Sequence, residues 1–73
     1  MEINEQEILQ HVGARIRFFR ESKGWTLRDL EAYSNIDHAL ISKVERGLRK
    51  AEFMTIYRLA VVLEVDLNTL LSK

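Results

Sequence analysis

Apolar residues recur at helical spacing along most of the chain. Ile8, Leu9, Val12, Ile16 and Phe19 share one face of a first helix. Asn4 followed by Glu7 reads as a capping box at its start, and Gly24 as the residue that ends it in positive φ. Thr26 with Asp29 three residues on makes a second capping box. The short helix behind it turns Leu27 and Leu30 inward until Asn35, which tolerates the left-handed region, breaks it. Asp37 is a good N-cap for a third helix that stops at Gly47, with Ile36, Ile41 and Val44 pointing inward. A fourth helix is predicted from about Glu52 to Glu64, its inward face made by Phe53, Ile56, Leu59, Ala60 and Leu63. Asp66 is the expected cap of a last short helix carrying Leu67, Leu70 and Leu71. The pattern predicts an all-α chain of five helices in a single domain over residues 1–73.

Composition narrows the chemistry. Of 73 residues none is cysteine or proline and three are glycine, which favours helices and excludes disulfides and thiolate metal sites. His11 and His38 are far apart and lack a local ligand partner in sequence, so neither a metal nor a cofactor is expected. No nucleophile–base pair, metal-ligand spacing or Gly-rich phosphate loop points to an enzyme. No apolar run reaches membrane-spanning length and no signal-peptide pattern opens the chain, so a soluble cytoplasmic protein is expected.

The formal charge is zero, yet it is unevenly spread. Residues 11–50 hold nine Lys/Arg against five Asp/Glu, a net +4, and the rest hold two against six, a net −4. Charges interact over roughly 8 Å at physiological salt, so a polyanion meets the local field and not the average. On the third helix, His38, Ala39, Ser42, Lys43 and Arg46 cluster opposite the apolar side at 100° per residue. Lys43 can donate to guanine O6/N7, His38 can donate or accept, and Ala39 can pack on a thymine methyl. Any amphipathic helix has such a solvated face, so periodicity alone does not assign it. Arg46, Arg49 and Lys50 form a cluster with no acidic member between residues 46 and 51, which favours phosphate contact over a merely solubilising loop. Arg17 and Arg28 are weaker candidates.

With these elements placed, "VGARIRFFRESKGWT", "LEAYSNIDHALISKVERG" and "MTIYRLAVVLEVDLNTLL" together resemble the Cro/repressor-type (XRE-like) helix-turn-helix family over about residues 12–71. The resemblance implies a compact five-helix domain of the lambda-repressor-like type, with the helix-turn-helix at about 27–46. It implies a homodimeric, sequence-specific transcription regulator whose third helix enters the major groove of near-palindromic double-stranded DNA. His38, Ala39, Ser42 and Lys43 would contact bases. Arg17, Arg28, Arg46, Arg49 and Lys50 would contact phosphate, as would the backbone N–H at Leu27. Arg20 and Glu45 would form a structural ion pair between the first and third helices. The length is similar to that of stand-alone controller or antitoxin-type regulators. Four positions depart from the family pattern: Leu27 stands where Gln is frequent, Glu31 where Ala is usual, Asn35 at the turn glycine and Ala51 at a proline near the fourth helix. A long side chain at Glu31 must bend outward or shift the helices.

Met54, Tyr57 and Val61 make an apolar i, i+3, i+7 stripe beside the core face of the fourth helix. With Leu67, Leu70 or Leu71 it is the expected dimer surface. Phe18 lies off the core face of the first helix, where Ile3 of the N-terminal arm could fold back on it, and Trp25 reads as a core or staple residue. The alternative to a DNA regulator is a protein-interaction module that uses the same fold to bind a toxin or another regulator.

Overall fold

The computed structural model describes residues 2–72 and contains five helices. They are α1 (Glu5–Ser22), α2 (Leu27–Ser34), α3 (His38–Glu45), α4 (Phe53–Leu63) and α5 (Leu67–Leu71). No strand occurs among the described residues. α3 packs on α1 and α2, while α5 packs on α1 and α4. Ile16, Leu30, Ile41, Leu59 and Leu70 are fully buried where these helices meet, each worth about 1.5–3 kcal/mol of transfer free energy. Val12, Ile36, Val44, Ala60 and Leu63 complete the buried core.

Local chemistry sets the helix ends. The Asn4 side chain accepts the Glu7 N–H at 3.1 Å, and the reciprocal half of that box is not formed. At α2 both halves form: Thr26 Oγ1 accepts from Asp29 N–H and Asp29 Oδ2 from Thr26 N–H. Asn35 ends α2 in the left-handed region. α1, α3 and α4 end alike, with Gly24, Gly47 and Glu64 at positive φ and a backbone N–H one residue on reaching back across the last turn. Glu64, at φ 62°, is the one of the three with a side chain to strain. Asp66 occupies the N-cap position of α5, but its side chain accepts no capping bond.

Several inward positions are corrected. Phe53 is 65% exposed: it sits in the first turn of α4, Ala51 packs against the core just before it, and its ring turns outward to stack on Tyr57. Ile8 is also exposed, one turn from the start of α1, where it lines an open groove with Glu5, Leu9, Lys50 and Ala51. Leu70 belongs to the core and not to an outer surface, because α5 packs on α1 and α4, with Arg15 donating to the Thr69 carbonyl at 3.2 Å. Ile3 does not fold back on Phe18; both are largely exposed, and Phe18 meets the edge of Phe19 instead. Trp25 is half-buried and stacked on Tyr33.

Candidate nucleic-acid interface

Two contacts seat α3 on α1. The first is a close backbone approach at Gly13. A Cβ added there would run into the Val44 carbonyl oxygen and come within 2.6 Å of the Glu45 carbonyl oxygen. Glycine is required here by space, not by backbone conformation. The second contact is a buried fork. Arg20 Nε donates to Glu45 Oε2 at 2.7 Å and Nη2 to Oε1 at 3.0 Å. Nη1 donates to the Trp25 carbonyl at 2.7 Å, which fixes the corner after α1 as well. The hydrogen bonds that the guanidinium donates to Glu45 hold its pKa above the usual arginine value, against the opposing effect of burial. Glu45 is thereby committed inward, and its acid is not offered to a ligand.

The start of α3 is held twice. Asp37 Oδ1 accepts the Ala39 N–H at 3.1 Å, and Glu31 Oε2, reaching across from α2, accepts the His38 N–H at 3.1 Å. Glu31 therefore bends toward the turn, where its carboxylate caps the start of α3. Sequence spacing hid this role, since capping boxes are local and Glu31 lies seven residues before its partner. Ser34 adds a third support, donating to the Leu30 carbonyl and accepting from Ile36 N–H. His38 is not isolated in space: its Nδ1 lies 3.3 Å from Asp37 and 3.4 Å from Glu31. These three side chains bring ligand atoms within 4.8 Å of one another, but both carboxylates are occupied by helix-start N–H groups.

With one side of α3 so anchored, the other is free. Ala39, Lys43 and Arg46 are exposed and His38 and Ser42 half-buried, while Ile41, Val44 and Glu45 are buried. The cations around this face fall into two groups. Arg28, Lys43, Arg46 and Arg49 have no carboxylate partner among the described residues, although Arg46 Nε leans on the Ser42 carbonyl at 3.3 Å. Arg17 pairs with Glu21 at 3.3 Å, and Lys50 with Glu5 at 3.0 Å. Leu27 is half-buried and lines the core at the first turn of α2.

A second exposed surface is apolar. Phe53, Met54, Tyr57 and Val61 run along the outside of α4, and Leu71 is exposed on α5. Leu67 is half-buried. Phe53 joins this surface instead of the core, enlarging the stripe expected from sequence.

Comparison with known proteins places these features in context. The helix-turn-helix family model matches residues 16–70. An uncharacterized HTH-type transcriptional regulator of Mycobacterium bovis, Mb0023, is 39% identical over 49 residues, 67% of this chain and 19% of that protein. The HTH-type transcriptional regulator SinR of Bacillus licheniformis is 29% identical over 63 residues, 85% of this chain and 57% of SinR. The chain thus spans about a fifth to just over half the length of these relatives. The crystal structure of the restriction-modification controller protein C.AhdI from Aeromonas hydrophila superposes with a TM-score of 0.81 at 32% identity, covering 85% of this chain and 94% of C.AhdI.

Proposed function

The chain belongs to the helix-turn-helix family of DNA-binding transcriptional regulators, which are not enzymes, and from that premise we propose that it binds a near-palindromic DNA site as a homodimer with α3 in the major groove. The observation that carries this reading is the division of α3. One side is fixed by Gly13, Arg20 and the α3 caps, and the other offers unpaired donors to solvent. Lys43, His38, Ser42 and Ala39 read base edges. Arg28, Arg46 and Arg49, with the backbone N–H at Leu27, take phosphates, and Arg17 and Lys50 exchange Glu21 and Glu5 for phosphate on binding. The apolar outer face of α4 joins two copies. Similarity to C.AhdI along nearly its whole length favours a controller-type regulator.

Site selection from a random DNA pool, followed by gel shifts on the recovered site and on random DNA, tests this. Lys43→Ala should lose about 1–3 kcal/mol of preference for the selected site while retaining random-sequence binding. Arg49→Ala should weaken both alike and flatten the log–log salt dependence by about 1.8 for the dimer, about 0.9 for each of its two phosphate contacts. Equal loss on both DNAs for Lys43→Ala would remove it from base reading. The same apolar face supports a second reading, in which α4 docks a toxin or another regulator; no gel shift at low salt would favour it.

A further inference from the structure

Carboxylates surround one nitrogen of the His38 ring. Nδ1 lies 3.4 Å from each Glu31 oxygen and 3.3 Å from Asp37 Oδ1. Ionised carboxylates only accept hydrogen bonds. A lone pair on Nδ1 would face three oxygens and bond to none, whereas an N–H there can donate to Glu31 Oε2, the one of the three contacts with hydrogen-bond geometry. A neutral imidazole carries a single N–H, so the proton on Nδ1 leaves Nε2 an acceptor. Nε2 has no partner among the described residues and is not buried, and the side chain is 33% exposed at the first position of α3.

We propose that Glu31, assisted by Asp37, is a positioning residue that sets the tautomer of His38 and so makes His38 select an amino donor in the major groove, adenine N6 or cytosine N4. The inference rests on the major-groove reading of α3 given above. The opposite tautomer would present an N–H and select an acceptor instead, purine N7, guanine O6 or thymine O4. Glu31 thus does two jobs with one carboxylate: it caps α3 through the backbone of His38 and fixes the hydrogen-bonding sense of that residue's ring.

Nitrogen-15 NMR of the free, full chain at a pH where the ring is neutral reads the tautomer directly. The expected result is His38 protonated on Nδ1 with Nε2 bare; the reverse assignment, or an even mixture, would overturn the proposal. This measurement needs no DNA, so its failure is distinct from failure of the DNA reading, which would show as no site enrichment from a random pool. Glu31→Gln supplies the second arm. Its carboxamide oxygen can still accept the His38 backbone N–H while its NH₂ donates to Nδ1, and the ring should shift toward Nε2–H. The base read by His38 is the one whose replacement no longer matters in His38→Ala. Deleting that base's exocyclic amino group should cost the wild-type chain about three- to tenfold in affinity and cost Glu31→Gln little. An equal loss in both chains would also overturn the proposal.

Discussion

The seam between α1 and α3 and the outer face of α4 are built on opposite plans. At the seam, backbones touch at Gly13, and a guanidinium and a carboxylate are buried together at 8% exposure each. Nothing there is left over for a partner. Along α4, Phe53, Met54 and Val61 each keep three-fifths or more of their surface in water, and no described residue covers them. The seam holds α3 rigid relative to its own fold and so fixes what a rigid ligand such as duplex DNA would meet. The α4 face is largely open to solvent in the monomer, and a second copy of the chain is its proposed cover. Substitutions in the two regions should therefore separate stability from association.

The largest effect is expected at the buried fork. Glu45→Ala leaves the Arg20 guanidinium buried with only the Trp25 carbonyl, and removing one partner of such a pair costs about 3–5 kcal/mol. For a domain of this size that is most of its stability. Urea denaturation should place Glu45→Ala at or near the unfolded baseline, with Glu45→Gln between it and wild type. A Glu45→Ala chain that lost less than 1 kcal/mol would show the seam to be held by packing alone.

Gly13→Ala comes next. Alanine is the better helix former by about 1 kcal/mol, so an uncrowded site would be stabilised. Here the methyl meets two backbone carbonyls that cannot rotate away, and α3 must shift off α1. A net loss of about 1–3 kcal/mol is expected, with weaker DNA binding because the displaced element is α3. A rise in Tm would mean that α3 is not tightly seated.

Across the molecule, Val61→Lys should leave the Tm of a dilute sample nearly unchanged, since the residue is 60% exposed and lysine is a good helix former. Sedimentation should show dimerisation weakened at least about tenfold, because a charge would be desolvated in an apolar contact. Binding to a full palindrome should fall more than binding to one half-site. Unaltered self-association would move the dimer contact elsewhere.

These two regions were unequally legible in sequence. Capping at Asn4, Thr26, Asn35 and Asp37 and the glycine stops at Gly24 and Gly47 could be read because each depends on residues within one turn. The five helices followed from them. Gly13 looked like any helical residue, since its requirement comes from the carbonyls of Val44 and Glu45 some thirty positions on. Glu31 looked like a steric fault because its partner, the His38 N–H, lies beyond the turn. Periodicity placed Phe53 inside and left Leu70 free, for it knows the angle of a side chain about its own helix but not how far the neighbouring helix extends. Base contact by α3 stayed an inference from resemblance, because a solvated face and a base-reading face have the same pattern.

Lys23 and Glu64 join the two regions, and theirs is the smallest effect. Lys23 Nζ sits 2.7 Å from Glu64 Oε1 and 5.1 Å from the Trp25 ring, bridging the corner after α1 to the end of α4. The hydrogen bond and charge of Lys23 hold the Glu64 carboxyl below its ordinary value of 4.5. A carboxylate lowered on folding stabilises the folded state above its unfolded pKa, and that contribution disappears as pH falls through the lower folded value. Glu64→Gln should therefore melt slightly below wild type at pH 7, by about 2 °C or less given the exposure of the pair, and the two curves should converge as pH falls through the lowered folded value. A gap that persisted in acid would come from the strained left-handed cap at this position and not from the ion pair. A gap of many degrees at pH 7 would mean that the α1 corner and α4 are coupled as firmly as α1 and α3.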